Sequence, residues 1–208
     1  MCWPEPLTPA DGRGRSGRSP VRRAPFQPLP RGWRNGLAAL LAAGLLDGCR
    51  PEAPKPPPDW AALKQEIRTR HPEVPVVSTA ELAVWLERGP GGTPLLLDVR
   101  APAEYAVSHL PGAVNAADVP AARAAIAAAG GTRRVVLYCS VGYRSAALAV
   151  QLIERGCTNV FNLEGSVFQW ANEGRPLRRG NEEATVVHPF DADWGRLLNR
   201  ERWSTPSP

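Results

Sequence analysis

The sequence has little of what builds metal centres and disulfide frameworks. Its 208 residues include three histidines and four cysteines, at positions 2, 49, 139 and 157. No two cysteines stand in a C-x-x-C spacing, so the usual zinc pattern is missing and no metal site is expected. The same scatter gives no disulfide framework, and a chain of this length can build a core without one. Hydrophobic runs of membrane-spanning length are lacking as well. The uncharged stretch Gly36 to Leu46 falls well short of the roughly 20 residues that cross a bilayer as a helix. No internal repeat is visible. Most of the chain also lacks an excess of either charge. The formal net charge is +5, but residues 1 to 50 hold eight arginines against Glu5, Asp11 and Asp47, leaving 17 basic and 17 acidic residues in the remainder. A balanced remainder sets up no field that would gather phosphate backbones, which argues against nucleic acid as a partner.

Proline is abundant, with 23 in the chain, and much of it lies before residue 59. The basic leader, residues 1–49, contains Arg31 and Arg34 ahead of the apolar stretch and ends at Leu46-Asp47-Gly48-Cys49. This is the profile of an export signal. Its end resembles the lipobox of bacterial lipoproteins, which makes Cys49 the candidate lipidation site, although Asp47 departs from the small uncharged residues usual there. The expectation is therefore an exported product, periplasmic or membrane-anchored through its N-terminus. A fortuitous Ala/Leu run in a cytoplasmic protein is the alternative. The depth of the apolar stretch also suggests a start downstream of Met1. Residues 50–59 read as a polyproline-like linker.

Regular periodicity begins at Trp60. Trp60, Leu63 and Ile67 follow helical spacing, giving an N-terminal helix within residues 60–73 that packs on the domain and ends before Pro72. Val74 to Val77 reads as a strand. Ser78 and Glu81 have the spacing of a capping box that opens a helix over Thr79 to Glu87. The stretches PLLLDV (94–99) and RVVLY (134–138) are continuous apolar runs of the kind buried on both faces of a parallel sheet. Helical patterns over 121–129, 145–155 and 167–173 alternate with these runs and with a strand over 159–163, which defines an α/β domain.

Cys139 directly follows the RVVLY strand, and a helix starts a few residues later. Open parallel sheets place ligands at this end of their strands. The intervening backbone can curl into a nest of inward N–H groups, which binds anions. With the helix dipole and the Arg144 guanidinium, such a nest favours thiolate over thiol.

The runs LLLDVRAPAEYAVSHLPGAVNA (95–116), VVLYCSVGYRSAALAVQLIERG (135–156) and NVFNLEGSVFQWANEGRPL (159–177) resemble rhodanese-homology domains in order and spacing. The resemblance implies a rhodanese-like three-layer fold over residues 74–177, a parallel five-stranded sheet flanked by helices, followed by a C-terminal extension, 178–208. It implies a sulfurtransferase in which Cys139 carries sulfane sulfur as a persulfide from a donor such as thiosulfate to a thiophilic acceptor, a small molecule or a protein thiol. Ser140, Val141, Gly142, Tyr143 and Arg144 complete the loop. Gly142 would supply a positive φ, Tyr143 the mouth of the pocket, and Arg144 the grip on an anionic donor. Ser145 is expected to cap the following helix, with a hydrogen bond to the sulfur as the alternative. No cofactor is implied.

Asp98 and Arg100 lie at another strand's carboxyl end and are read as supporting residues, paired structurally with Glu104 or the loop backbone. His109 is read as a loop-ordering residue, Cys157 as packed and inert, and Trp170 as core. The tail holds Arg178, Arg179, His188, Trp194 and Trp203 and either packs back on the domain or offers a contact surface. Two other functional classes compete with the enzyme. One is a non-catalytic binding or sensing module of the same fold. The other is a cysteine phosphatase-like enzyme, disfavoured because such enzymes place five residues between Cys and Arg and this loop has four.

Overall fold

The structure, a computed structural model, describes residues 59–89, 92–131 and 133–204. The expected leader, the proposed lipidation site Cys49 and nearly all of the linker lie outside these residues. Among the described residues no helix is long and apolar enough to cross a membrane, and no group of His, Cys, Asp and Glu side chains could hold a metal ion.

The chain runs α1 (Trp60–Arg70), β1 (Val76–Val77), α2 (Thr79–Glu87), β2 (Leu95–Asp98), α3 (Pro102–Val107), β3 (Val114–Asn115), α4 (Val119–Ala128), β4 (Val135–Tyr138), α5 (Tyr143–Glu154), β5 (Val160–Leu163) and α6 (Ser166–Asn172). A hairpin of β6 (Leu177–Arg179) and β7 (Glu182–Ala184), a short α7 (Ala192–Gly195) and a turn of 3-10 helix at Arg200–Arg202 follow. The first five strands form one parallel sheet in the order β1-β5-β4-β2-β3. This is the α/β, five-stranded architecture that the resemblance implied.

The sheet separates two hydrophobic layers, and the period of two along a strand decides which residue goes where. Leu96, Val136 and Tyr138 face α1, α2, α6 and the C-terminal extension, together with Leu63, Ile67, Leu82, Phe168 and Trp170. Leu95, Leu97, Val135, Leu137 and Cys139 face α4 and α5, packing with Ile126, Leu148, Ala149 and Leu152. Every residue of β2 and β4 is therefore buried, which is why both read as unbroken apolar runs. The edge strands are different. The strand expected over Val74–Val77 is paired only at Val76 and Val77, and β3 is equally short. Val76 and Val114 on these edges remain 37% and 43% exposed.

Local chemistry sets the helix boundaries. Ser78 accepts from the Glu81 N–H while Glu81 accepts from the Ser78 N–H, the expected capping box. Asp59 caps α1, and Arg68 and Lys64 on its exposed side reach Glu164. Cys157 is buried in the layer beside α5, packed as expected. Trp170 is core, and its indole N–H donates to the Pro176 carbonyl.

Candidate active site

Cys139 directly follows β4 and faces the α5 side of the sheet, so its sulfur lies beneath the N-terminus of that helix. Three carbonyls of the loop from Cys139 to Gly142 are claimed from outside, which fixes the turn that aims the Gly142 N–H at the sulfur. The Cys139 and Ser140 carbonyls accept from the Val167 and Phe168 N–H groups of α6. The Gly142 carbonyl accepts from the Ala146 N–H and from the Asn162 side-chain amide. Gly142 turns the corner at φ +119°, a conformation that side-chain-bearing residues rarely adopt. Its N–H then donates to the Cys139 Sγ at 3.1 Å.

From below, the Cys139 N–H donates to the Ser166 hydroxyl, which itself donates to the Leu163 carbonyl. Ser166 holds φ at +51°, one of two non-glycine residues with positive φ among those described; the other is Phe190. Backbone strain of this kind costs on the order of 1–3 kcal/mol and persists where surrounding contacts enforce it.

Arg144 points back across the loop. Its guanidinium makes a two-pronged ion pair with Glu104 of α3, both contacts 2.8 Å, and also donates to the Ser140 hydroxyl at 3.0 Å. Glu104 further accepts from the Ala101 N–H. Burial pushes the Glu104 carboxyl up, but the Arg144 contacts and the Ala101 N–H outweigh it and leave the pKa below the usual carboxylate value. The same competition governs the sulfur. Burial is the largest influence on Cys139 and raises its pKa, yet the nearby Arg144 charge and the hydrogen bonds from Ser145 and Gly142 overcome it. The thiol is thereby held below its ordinary pKa. Cys139 is a free thiol, only 1% exposed, at the floor of a cleft of about 320 Å³ lined by Ser140, Val141, Tyr143, Arg144, Phe190 and Trp194.

One expectation needs correction. Ser145 does not cap α5. The helix starts at Tyr143 with Gly142 as its N-cap, so Ser145 lies within the first turn, and its hydroxyl is 2.6 Å from the Asn162 Oδ1 and 3.2 Å from the Gly142 carbonyl. Both the N–H and the hydroxyl of Ser145 contribute to lowering the Cys139 pKa. Asp98 and Arg100 pair structurally, as expected, and of the two partners named it is the loop backbone rather than Glu104 that they bind. They bind each other with no exposed surface, and Arg100 also donates to the Ser108 carbonyl at 2.6 Å. This pair fixes the β2–α3 corner from which Glu104 reaches Arg144.

His109 is a loop-ordering residue: its backbone pairs with Arg178 and its ring stacks on Tyr105. Tyr143 lines the cleft mouth as expected, and burial with a hydrogen bond to Glu66 pushes its hydroxyl up to about 12. Sequence reasoning had not placed Glu104, Asn162, Ser166 or Phe190 at the site. Only Glu104 offered a signal, since an acid near the start of a helix that follows a strand's carboxyl end shares the rim with Cys139.

A cysteine cradle between strand and helix on a five-stranded parallel sheet defines an α/β protein of the thiolate class. The model of the rhodanese-like domain family matches residues 78–173. A sulfurtransferase of Allochromatium vinosum is 35% identical over 85 residues, covering 40% of this chain and 77% of that protein. An HTH-type transcriptional regulator of Mycobacterium tuberculosis is 34% identical over 107 residues, covering 50% of this chain and 45% of that one. Among solved structures, the thiosulfate sulfurtransferase of Pseudomonas aeruginosa aligns at 21% identity and TM-score 0.46, covering 66% of this chain and 26% of that one. A rhodanese-related protein of Thermoplasma volcanium aligns at 22% identity and TM-score 0.42, covering 50% and 98% respectively. The chain belongs to the rhodanese-like family, and at the level of that family it is a sulfurtransferase-type protein.

Proposed function

We propose that this protein transfers sulfane sulfur by way of a persulfide on Cys139. The observation that carries the reading is the Gly142 N–H donated to the Cys139 Sγ beside the Arg144 guanidinium, because both favour the thiolate that must attack. With thiosulfate as donor, the Cys139 thiolate attacks the outer sulfur, the S–S bond breaks, and sulfite departs with the bonding pair. In the product, Cys139–S–S⁻, the negative charge moves to the outer sulfur, one S–S bond or about 2 Å beyond the Sγ. A thiophilic acceptor, a small thiolate or a protein thiol, then attacks the outer sulfur and releases the Cys139 thiolate. No proton must be stored, which fits a site without a general base.

Two alternatives are set against this reading. A binding module of the same fold has no need of a thiol whose ionisation the loop promotes. A phosphatase-like reaction has to enclose a phosphoryl group in a ring shorter than the one such enzymes use. Intact mass spectrometry of the full chain after treatment with thiosulfate separates transfer from the binding module. A single added sulfur that is absent in Cys139→Ser supports transfer, and no adduct from several sulfane donors would favour the binding module. The export reading of residues 31–49 is a separate proposal. Recovery of the full-length product from the cytoplasm of its native host would overturn that proposal and leave the chemistry untouched.

A further inference from the structure

Helix α1 lies ahead of the family match, yet it packs on the back of the Cys139 loop. The Cδ1 of Ile67 comes within 3.3 Å of the point that a Cβ on Gly142 would occupy. Gly142 is the corner whose N–H reaches the sulfur. Its φ of +119° is one of many open to a glycine, so its neighbours must select it. The gap bounded by Ile67, Val141, Asn162 and Gly165 measures about 10 Å³, at the limit of room for one water, so the corner cannot swing toward α1.

Polar ties join α1 to the two helices that bracket the loop. On the α5 side the Tyr143 hydroxyl donates to Glu66, and the Arg70 guanidinium stands over the Tyr143 ring at 5.6 Å. Arg70 also pairs with Glu66 at 2.8 Å, so the three groups form one cluster. Tyr143 is the first residue of α5 and adjoins Gly142. On the α6 side Arg68 and Lys64 reach Glu164 at 2.6 and 3.9 Å. Glu164 precedes Gly165, the N-cap of α6, and the Val167 and Phe168 N–H groups of that helix hold the Cys139 and Ser140 carbonyls. Helix α1 thus contacts the corner of the loop and both of its supports. A helix of 11 residues is marginal alone in water, so α1 forms as it docks, and helix and loop are ordered together.

Resting on the persulfide reading, we propose that α1 is a positioning element for the sulfur chemistry, in which Ile67 holds the Gly142 corner and Glu66 holds Tyr143, so that the Gly142 N–H stays on the Cys139 sulfur. Neither residue lines the cleft. Both act through the loop, and their effect is on the ionised sulfur rather than on the donor.

The test reads iodoacetamide labelling of Cys139 against pH, and single-turnover sulfur loading from thiosulfate, on the full chain. Ile67→Ala should raise the labelling midpoint by about one pH unit and, below that midpoint, slow loading about tenfold, as the loss of one hydrogen bond to a charged sulfur requires. Ile67→Val deletes only the Cδ1 that meets Gly142, is mild enough to fold, and should slow loading about threefold. Ile67→Leu keeps a δ carbon and should lie near wild type. Leu82, buried in the same layer on α2, supplies the control: Leu82→Ala should lower the Tm as Ile67→Ala does and leave the midpoint in place. Glu66 is half exposed, so its variants keep the fold. Glu66→Ala should slow loading about twofold to threefold, and Glu66→Gln, which still accepts from Tyr143, should restore it. A midpoint and a loading rate that neither Ile67→Val nor Glu66→Ala changes would overturn the positioning role, as would a midpoint that Leu82→Ala moves as far as Ile67→Ala does. Labelling needs no sulfur transfer. A wild type that takes no sulfur from thiosulfate, yet shows the expected midpoint shifts, would sink the persulfide reading and leave the clamp by α1 standing.

Discussion

Replacing Gly142 with alanine tests the loop geometry most directly. A Cβ on Gly142 would meet the Ile67 Cδ1 at 3.3 Å and the Asn162 Nδ2 at 3.5 Å, and the residue would still have to hold φ near +119°. The backbone cannot easily relax, because the Gly142 carbonyl is bound by Ala146 and Asn162 while its N–H faces the sulfur. Backbone strain of about 2 kcal/mol plus about 1 kcal/mol of overpacking gives a loss near 3 kcal/mol, or about 6–12 °C in Tm for a chain of this size. Gly130→Ala is the matched control. It carries φ +85° with nothing within 4 Å of the new Cβ, so it should lose only about 1 kcal/mol, or about 2–4 °C. Differential scanning calorimetry reads both numbers. Iodoacetamide labelling of Cys139 against pH reads the chemistry, and Gly142→Ala should shift its midpoint upward as the N–H moves off the sulfur. Equal melting of the two variants, with an unchanged labelling midpoint, would refute the account of a clamped, N–H-lined loop.

Further expectations follow from the same contacts. In the wild type the labelling rate should fall as pH drops through a midpoint below the value near 8.5 of a free thiol, and Arg144→Leu should raise that midpoint, because burial then acts with less opposition. Glu104 has a lowered folded pKa, so its ionised state stabilises the fold above the unfolded carboxylate value near 4.3, and this contribution disappears as pH falls through the folded value. Arg144→Leu should therefore flatten the acid side of a Tm-against-pH curve, and an unaltered slope would contradict the ion pair. Ser145→Ala removes the hydroxyl that faces Asn162 and the sulfur and should cost about 1–2 kcal/mol in urea unfolding while raising the labelling midpoint. Leu137→Ala, at a fully buried position of the central strand, should cost about 2–5 kcal/mol by the same unfolding measurement, without a shift in that midpoint.

The sequence revealed the centre of the sheet better than its margins. Strands β2 and β4 are buried on both faces, so their apolar runs survive any choice of neighbours. The edge strands β1 and β3 have two residues each, too few for periodicity to register. Helix α2 was legible because its capping box lies within four consecutive residues, Ser78 to Glu81. The start of α5 was not, because a left-handed glycine allows the helix to begin at once, two residues before the expected Ser145. Cys139 and its loop could be read because strand, nucleophile and helix are contiguous. Glu104 reaches Arg144 across a sequence separation of 40, and Phe190 arrives from outside the family match. Such pairings are settled by tertiary packing, which no local pattern encodes.

The two-residue margins of the sheet also bear on how this protein behaves when concentrated. An incoming strand that tried to lengthen the sheet at Val76–Val77 or Val114–Asn115 would find only one or two ladder bonds before the chain turns into a helix or loop. That is too little to outweigh the entropy of ordering a foreign segment, even with an exposed valine on each side as lure. Fibrous stacking is therefore disfavoured by geometry rather than by charge, and the native fold should tolerate crowded solutions without polymerising through its sheet.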